Sequence, residues 1–468
     1  MPPALAPALC IRTTALLIAV CACGVTDPGP PAAVDTAVLN ACTDPASGGA
    51  MTVLDASATA FGQPGPTLTA AQRALHDIGD KLFDVNFVPD PAADHGGLGP
   101  RFVNVACAAC HLNDGRGSAP QPGGPFASLL FRVSVPGVDA HGGPAPVLAF
   151  GTQLEFRGAP GLPTVAIGTL SYADSIDQFA DGTPDTLHVP AYGIAAPYRA
   201  LPATVLLSPR LAPPNFGLGL LEAVPDAAIE ALAAGRAALV AGVAGHPNRV
   251  WDPTAGRMVL GRFGLKANVG SLLQQTAAAF NADMGVTSSF LPAEPCSDAI
   301  AACGAHAPDV SDSVLTAVTA YIRTLAVPAR RSTEAPAVLR GQALFASAGC
   351  ALCHTPTLQT GTVAGDPELS GQTIHPYTDL LLHDMGPGLA DGRPDYLATG
   401  REWRTPPLWG IGLTGTVNRN VSFLHDGRAR SLLEAVMWHG GQAAAARAVV
   451  RGLSRADRDA LLAFLQSL

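Results

Sequence analysis

Cys107-Ala-Ala-Cys110-His111 and Cys350-Ala-Leu-Cys353-His354 are two copies of one pattern, C-x-x-C-H. The spacing is that of covalent haem attachment. Two thiols about one helical turn apart reach both vinyl groups of a porphyrin as thioethers, and the next His swings under the iron as an axial ligand. The chain has only 10 Cys and 12 His, so two copies are not a product of composition. A zinc half-site would need further Cys or His pairs close by, and the spare histidines are scattered. A redox dithiol would not require a His after its second Cys. The pattern predicts two covalently bound haem c groups. Cys107, Cys110, Cys350 and Cys353 are the attachment points, and His111 and His354 the iron ligands.

Around these motifs the 468-residue chain is 48% hydrophobic and 14% charged, with a formal net charge of −9. The low charge argues against disorder, and its acidic sign against broad nucleic-acid binding. The 50 Gly and 42 Pro predict many turns and long loops. Residues 15–23 follow Arg12 and have the length of a signal-peptide core, too short to span a bilayer. Val20-Cys21-Ala22-Cys23-Gly24 resembles a bacterial lipobox, so a lipid anchor on Cys23 is weighed beside plain cleavage. The mature chain is expected in the periplasm or at the cell surface, where disulfides persist. Cys296 and Cys303, in the stretch PCSDAIAACG, are expected to close a small disulfide loop there. Cys42 has no evident partner.

The domain reading is a signal over 1–23, a flexible tether over 24–50, an N-terminal haem domain over 51–330 and a C-terminal haem domain over 334–468. Helical periodicity marks residues 69–83, 223–243, 271–280, 311–325, 337–347, 431–440 and 454–468. Residues 118–220 lack that period and carry PGG, PGV and DGTPD turns between alternating runs, the pattern of short strands and long loops. Each C-x-x-C-H follows a helix and precedes a loop. The expected fold is mainly α, with two cytochrome-c-like haem domains, the first carrying a large β-rich and loop-rich insertion.

Longer motifs add a family resemblance. Arg404-Thr-Pro-Pro-Leu-Trp-Gly and Leu424-His-Asp-Gly-Arg, running on to His439-Gly-Gly, resemble bacterial di-haem cytochrome c peroxidases and the methylamine-utilisation di-haem enzyme. Gly97-Leu-Gly-Pro-Arg-Phe, His111-Leu-Asn-Asp-Gly-Arg-Gly, Ser208-Pro-Arg-Leu-Ala-Pro-Pro, Gly261-Arg-Phe-Gly-Leu-Lys-Ala and Tyr377-Thr-Asp-Leu-Leu-Leu-His-Asp-Met-Gly bring it closest to the di-haem oxidoreductase family. Members of that family are described as peroxidase-like, and some are labelled thiol oxidoreductases. The resemblance runs from Gly48 to the C-terminus.

The resemblance implies roles. His439 stands where the related enzymes place the second ligand of the C-terminal haem, with Met385 and Met437 as rivals. Gln275 and Asp283, in Ser271-Leu-Leu-Gln-Gln275 and Asp283-Met284-Gly285, match the Gln and Glu of the peroxide pocket. Gln275 would orient peroxide and Asp283 would shuttle its proton. His383, Asp384, Arg401, Arg404, His425, Asp426 and Arg428 fall in family motifs, where Arg and His could hold haem propionates as readily as sit in surface loops. The related enzymes also hold a calcium ion between the haems. Leu265 occupies the place of their bridging Trp, which leaves Trp251, Phe263 or Trp403 as other aromatic relays.

The function these roles imply is an exported di-haem peroxidase-like oxidoreductase. Electrons from a small donor protein, such as a cytochrome or cupredoxin, would enter at the C-terminal haem and pass to an N-terminal haem that reduces hydrogen peroxide. The alternative is a non-catalytic periplasmic electron carrier with two low-spin haems, the second ligand of the first being His76, His95 or His141.

Overall fold

Two helix pairs set the frame, and their sequences explain why they form. The structure is a computed structural model that describes residues 43–162, 164–239, 242–294 and 307–468. The export segment, Cys42 and the Cys296–Cys303 loop lie outside the described residues. The helices that position the site are α1 (Ala70–Asp84), α2 (Leu272–Met284), α3 (Asp312–Thr324), α4 (Pro336–Ser347), α5 (Leu432–Met437), α6 (Ala444–Gly452) and α7 (Arg455–Ser467). Thr69 caps α1: its hydroxyl accepts from Gln72 N, and the Gln72 side chain accepts from Thr69 N. That reciprocal cap satisfies two of the donors a helix start leaves open. Ser271 and Ser454 cap α2 and α7 by the same hydroxyl contact. Pro336 opens α4, where its missing N–H costs nothing.

Helix α1 packs on α3, and α4 on α7. Each pair approaches closely at a glycine. A Cβ on Gly79 would run into the Ala317 carbonyl of α3, and one on Gly341 into the Ala460 carbonyl of α7. One turn further along each helix, rings close the seam: Phe83 lies 5.3 Å from Tyr321, and Phe345 lies 5.1 Å from Phe464. The first pair belongs to the largest apolar core, with Phe61, Phe280 and Leu315; the second to a separate core with Tyr377, Met437 and Leu461.

Between the pairs in sequence lies a β region. Strands β1 (Leu129–Ser134), β2 (Gln153–Leu154) and β5 (Leu206–Leu211) form a three-stranded antiparallel sheet in the order β2-β1-β5. Phe131 and Leu154 are paired across it and join an apolar cluster with Leu129, Val133 and Phe150. Strands β3 (Ile167–Gln178) and β4 (Pro184–Ala195) make a 12-residue-long hairpin. Its tip reaches the C-terminal helices. Phe179 enters the second helix pair's core, Asp181 pairs with Arg458, and Asp185 pairs with Arg451. The remaining strands are ladders of two to five residues, including Thr52–Val53 parallel to Val327–Pro328 and Leu382–Asp384 against Glu402–Arg404. Of the residues expected in the tether, Ser47 is buried and Gly48 lies against Val327.

The expectation of a mainly α fold is corrected. Among the described residues 30% are helical and 20% are in strands, spread over many small sheets. The chain is mixed α and β, not two mainly helical cytochrome-c-like domains. The helices appear close to where their periodicity put them; 311–325 was expected and Asp312–Thr324 is found. They are short, however, and the Gly- and Pro-rich segments between them pair into ladders instead of remaining loops. Backbone groups under buried loops need partners, and two-residue ladders supply them. All described residues belong to one compact unit, and no described helix is long and apolar enough to cross a membrane.

Candidate functional site

Each C-x-x-C-H is a tight turn. Cys110 N and His111 N both donate to Cys107 O at 3.0 Å, and His354 N donates to Cys350 O at 3.0 Å. All four thiols are free, and burial pushes those of Cys107, Cys110 and Cys350 up to about 12. His111 Nδ1 lies 2.7 Å from Pro213 O, and His354 Nδ1 lies 3.0 Å from Tyr377 O. A carbonyl can only accept, so Nδ1 carries the proton and Nε2 keeps its lone pair. Metal-binding imidazoles are held this way. Burial lowers both rings to about 4, so both are neutral. His439 is held in the same manner, with Nδ1 at 2.7 Å from Ala435 O. After burial, the charge of His439 is the next influence lowering His354, which puts the two rings in one neighbourhood. Among the described residues no second histidine acts on His111.

The residues present fit a haem at each motif. The free thiols and the lone-pair Nε2 atoms would supply attachment and ligation. Arg116 supplies a half-buried cation whose Nε and Nη2 atoms are buried with no partner among the described residues; burial lowers its pKa to about 10, with the charge of Asp426 acting to raise it. A guanidinium held this way favours an anion such as a propionate. The motif Asp114-Gly115-Arg116 could have pointed to it. Arg428, by contrast, is already forked onto Asp426, with Nη2 2.7 Å from Oδ2. Arg401 pairs with Asp384 at 3.1 Å, and Arg404 donates to the carbonyls of Gly264 and Thr405. His383 lies between Asp379 (3.0 Å) and Cys353 Sγ (3.5 Å). Those three form the one ion-sized group of Cys, His and carboxylate side chains among the described residues. A thiol and an imidazole do not suit calcium, which takes oxygen ligands.

Beside the first motif lies a buried polar cluster. Asp283, in the last turn of α2, raises the pKa of both Cys107 and Cys110 through its charge, after burial. Its own pKa is raised by burial, with Arg132 and Gln153 acting against that rise. Gln153 Nε2 donates to Asp283 Oδ1 at 2.8 Å and to Ala282 O at 2.7 Å. Register places this partner: Gln153 is opposite Arg132, which is opposite Ser208 across the sheet. Side chains alternate along a strand, so this polar row takes the face opposite Phe131 and Leu154. Two residues past Gln153, Glu155 is buried on the same side, and burial pushes its carboxyl up to about 8 despite Arg101 and Arg132. Ser208 continues the row into the second half, donating to Asp391 Oδ2 at 2.5 Å.

Gln275 does not join Asp283. The two stand eight residues apart on α2, about 12 Å along the axis at 1.5 Å per residue. Its neighbour Gln274 is tied to Trp251 O and Gly270 N. Met437 is fully buried in the apolar core, and Met385 packs near Trp403 and Trp438. His76 is bonded to Thr324 Oγ1 at 2.8 Å, His141 stacks on Trp251 at 4.1 Å, and His95 faces Phe87. Leu265 packs in the cluster of Trp403, whose ring stacks on His425 at 3.7 Å and lies 4.5 Å from the Lys266 ammonium. Phe263 is buried in the main core.

Comparison with known proteins gives one family. The model described as "Di-haem oxidoreductase, putative peroxidase" matches residues 42–129 and 138–468. Among solved structures, a chain of Kuenenia stuttgartiensis hydrazine synthase pressurised with xenon matches at 21% identity and a TM-score of 0.23. The match covers 35% of this chain and 57% of that one. No curated protein matches.

Proposed function

Because the chain belongs to the di-haem oxidoreductase family, with haem as its cofactor, we propose that it is an exported peroxidase-like enzyme. It reduces hydrogen peroxide with electrons from a small donor protein such as a cytochrome or cupredoxin. Each haem, when bound, supplies a one-electron redox centre, one held by Cys107, Cys110 and His111 and the other by Cys350, Cys353 and His354. His439 is assigned as the second ligand on the His354 side.

The observation that carries this reading is an asymmetry. Among the described residues a second histidine, His439, acts on His354 and none acts on His111; Asp379 beside the second motif is bonded to His383, whereas Asp283 beside the first is bonded to Gln153 and acts on a second carboxyl, Glu155. A pair of histidines makes an electron-transfer site of low potential. A buried acid cluster makes a proton-handling site. Hydrogen peroxide, two electrons and two protons give two waters, so reduction must be fed protons. Glu155, with its carboxyl near 8, holds a proton at neutral pH, and the charge of Asp283 acts both on it and on the thiols of the first motif. On the sheet side the cluster is closed to bulk water, since Gln153 and Glu155 are 3% and 4% exposed, while Asp283 is half-buried.

Electron paramagnetic resonance of the half-reduced holoprotein, with peroxide turnover measured alongside, tests the reading. A residual high-spin ferric signal together with turnover is expected. A purely low-spin residue without turnover makes the protein an electron carrier instead. In the same experiment His439→Ala should turn the low-spin signal of the C-terminal haem high-spin, and an unchanged spectrum removes His439 from the ligand set.

A further inference from the structure

The amide that partners Asp283 comes from the β region, not from α2. Gln153 is 3% exposed, and its nitrogen is fixed by two acceptors, Ala282 O and Asp283 Oδ1. Because a backbone carbonyl cannot donate, the amide cannot be flipped without losing that bond. Its oxygen is therefore fixed too, and Gln153 Oε1 is buried with no donor among the described residues. Leaving a buried acceptor without a donor is costly. Such an atom is retained where something else donates to it. The groups facing it are Asp283 from α2, Arg132 from β1 and Glu155 from its own segment.

We propose that Gln153 is a substrate-binding residue of the first site, taking a hydrogen bond on Oε1 from a small hydroxylic oxidant such as hydrogen peroxide while its Nε2 holds Asp283 as the proton acceptor. The proposal rests on the peroxide-reducing reading above and moves the orienting role from Gln275 to Gln153. A peroxide O–H donates to Gln153 Oε1. The other O–H faces Asp283 Oδ2, the carboxylate oxygen that Gln153 leaves open. The amide thus fixes one end of the substrate and the orientation of the carboxylate that takes a proton from the other. No bond other than hydrogen bonds forms or breaks at Gln153. Gln275, two turns away on α2 with no side-chain partner among the described residues, has no such coupling to Asp283.

The test uses the full-length holoprotein and three variants. Gln153→Met keeps the volume and removes both hydrogen-bonding functions. It should lower kcat/KM for hydrogen peroxide ten- to a hundredfold, while Gln275→Met changes it less than twofold. Gln153→Glu is isosteric, and only its protonated form can both donate to Asp283 and offer a carbonyl oxygen. Its pH profile should therefore move to lower pH, a shift that a purely structural role would not produce. Infrared titration of isotope-labelled Asp carboxyls supplies a reading independent of turnover: loss of the Nε2 donor should raise the Asp283 pKa further in Gln153→Met. Turnover in the wild type with kcat/KM unchanged in Gln153→Met overturns the proposal and leaves the peroxidase reading standing. Absence of turnover in the wild type overturns the peroxidase reading, and with it the substrate assigned to Gln153. An Asp283 titration unmoved by Gln153→Met overturns the coupling itself.

Discussion

The rings of Phe83 and His111 lie 6.2 Å apart with their planes at 52°, and those of Phe345 and His354 lie 6.2 Å apart at 57°. Each Phe stands four residues after the crossing glycine of its helix, and each faces a ring from the partner helix. The two C-x-x-C-H motifs are thus seated on equivalent helix pairs, although 27 residues separate Phe83 from Cys110 by sequence count and far fewer separate Phe345 from Cys353. Helix crossing, aromatic ring and histidine form one mechanical unit, used twice.

That unit makes Gly341 a sensitive position. The Cβ of Gly341→Ala would overlap the Ala460 carbonyl, which is backbone and cannot swing aside. Helix α4 must move off α7, at a cost of about 1–3 kcal/mol for overpacking. Thermal unfolding of Gly341→Ala should start at lower temperature, and haem loading at Cys350 and Cys353 should fall in proportion. Gly79→Ala should do the same at Cys107 and Cys110. An unchanged melting temperature in both would show that the crossings are looser than described.

The helices were legible because periodicity is local: the apolar spacing after Ser311 marks α3 within a residue at each end. The two C-x-x-C-H motifs were legible for the same reason. The balance of the fold was not, because ladders such as Thr52–Val53 with Val327–Pro328 join segments with no local signal. The Gln153–Asp283 bond spans 130 residues and depends on sheet register. One sign of it was local: Gln153-Leu154-Glu155 alternates polar and apolar, and a strand puts both polar residues on one face. Gln275 was chosen by matching a segment, and a match along one helix cannot show which other strand faces it.

Glu155 should make stability fall as pH rises. Its carboxyl ordinarily titrates near 4.5 and is pushed to about 8 by burial. Between those values the folded protein holds a proton that the unfolded chain releases. Stability from this group is therefore full below the lower value and is lost progressively as pH rises to the upper one. Glu155→Gln removes the titration while keeping the shape. Denaturant midpoints measured from pH 5 to pH 8 should fall for the wild type relative to Glu155→Gln. Parallel curves would place the Glu155 pKa in the ordinary range.

Lys266 is fully buried and pairs with Asp391 at 2.8 Å, while its ammonium also donates to Arg393 O and Thr399 O. Burial lowers its pKa to about 8, with Asp391 acting to raise it. Lys266→Met leaves Asp391 buried without its cation and should cost about 3–5 kcal/mol. Asp391→Asn in the same chain should recover part of that loss, because the uncompensated charge is gone. Urea denaturation of the single and double variants decides the matter, and equal stability of the two would mean that Asp391 is compensated by its other neighbours.

The β3–β4 arm makes the last prediction. Its tip is held by Arg458, which donates to Asp181 Oδ2 at 2.7 Å and to Thr183 Oγ1 at 2.9 Å, with its guanidinium 4.1 Å from the Phe179 ring. Further down, His188 N donates to Glu434 Oε1 of α5 at 2.6 Å. The arm therefore rests on the helix that leads to His439. Arg458→Ala removes the tip's cation and two charge-assisted hydrogen bonds. The arm should detach without global unfolding, since most of β3 faces solvent. Limited proteolysis should then cut the turn after Phe179 several times faster, and high salt should accelerate cleavage of the wild type in the same direction. If α5 relies on the arm, the spectrum of the C-terminal haem should broaden in Arg458→Ala. Faster cleavage with an unaltered spectrum would make the arm a separate strap, with His439 held by Ser431 and α5 alone.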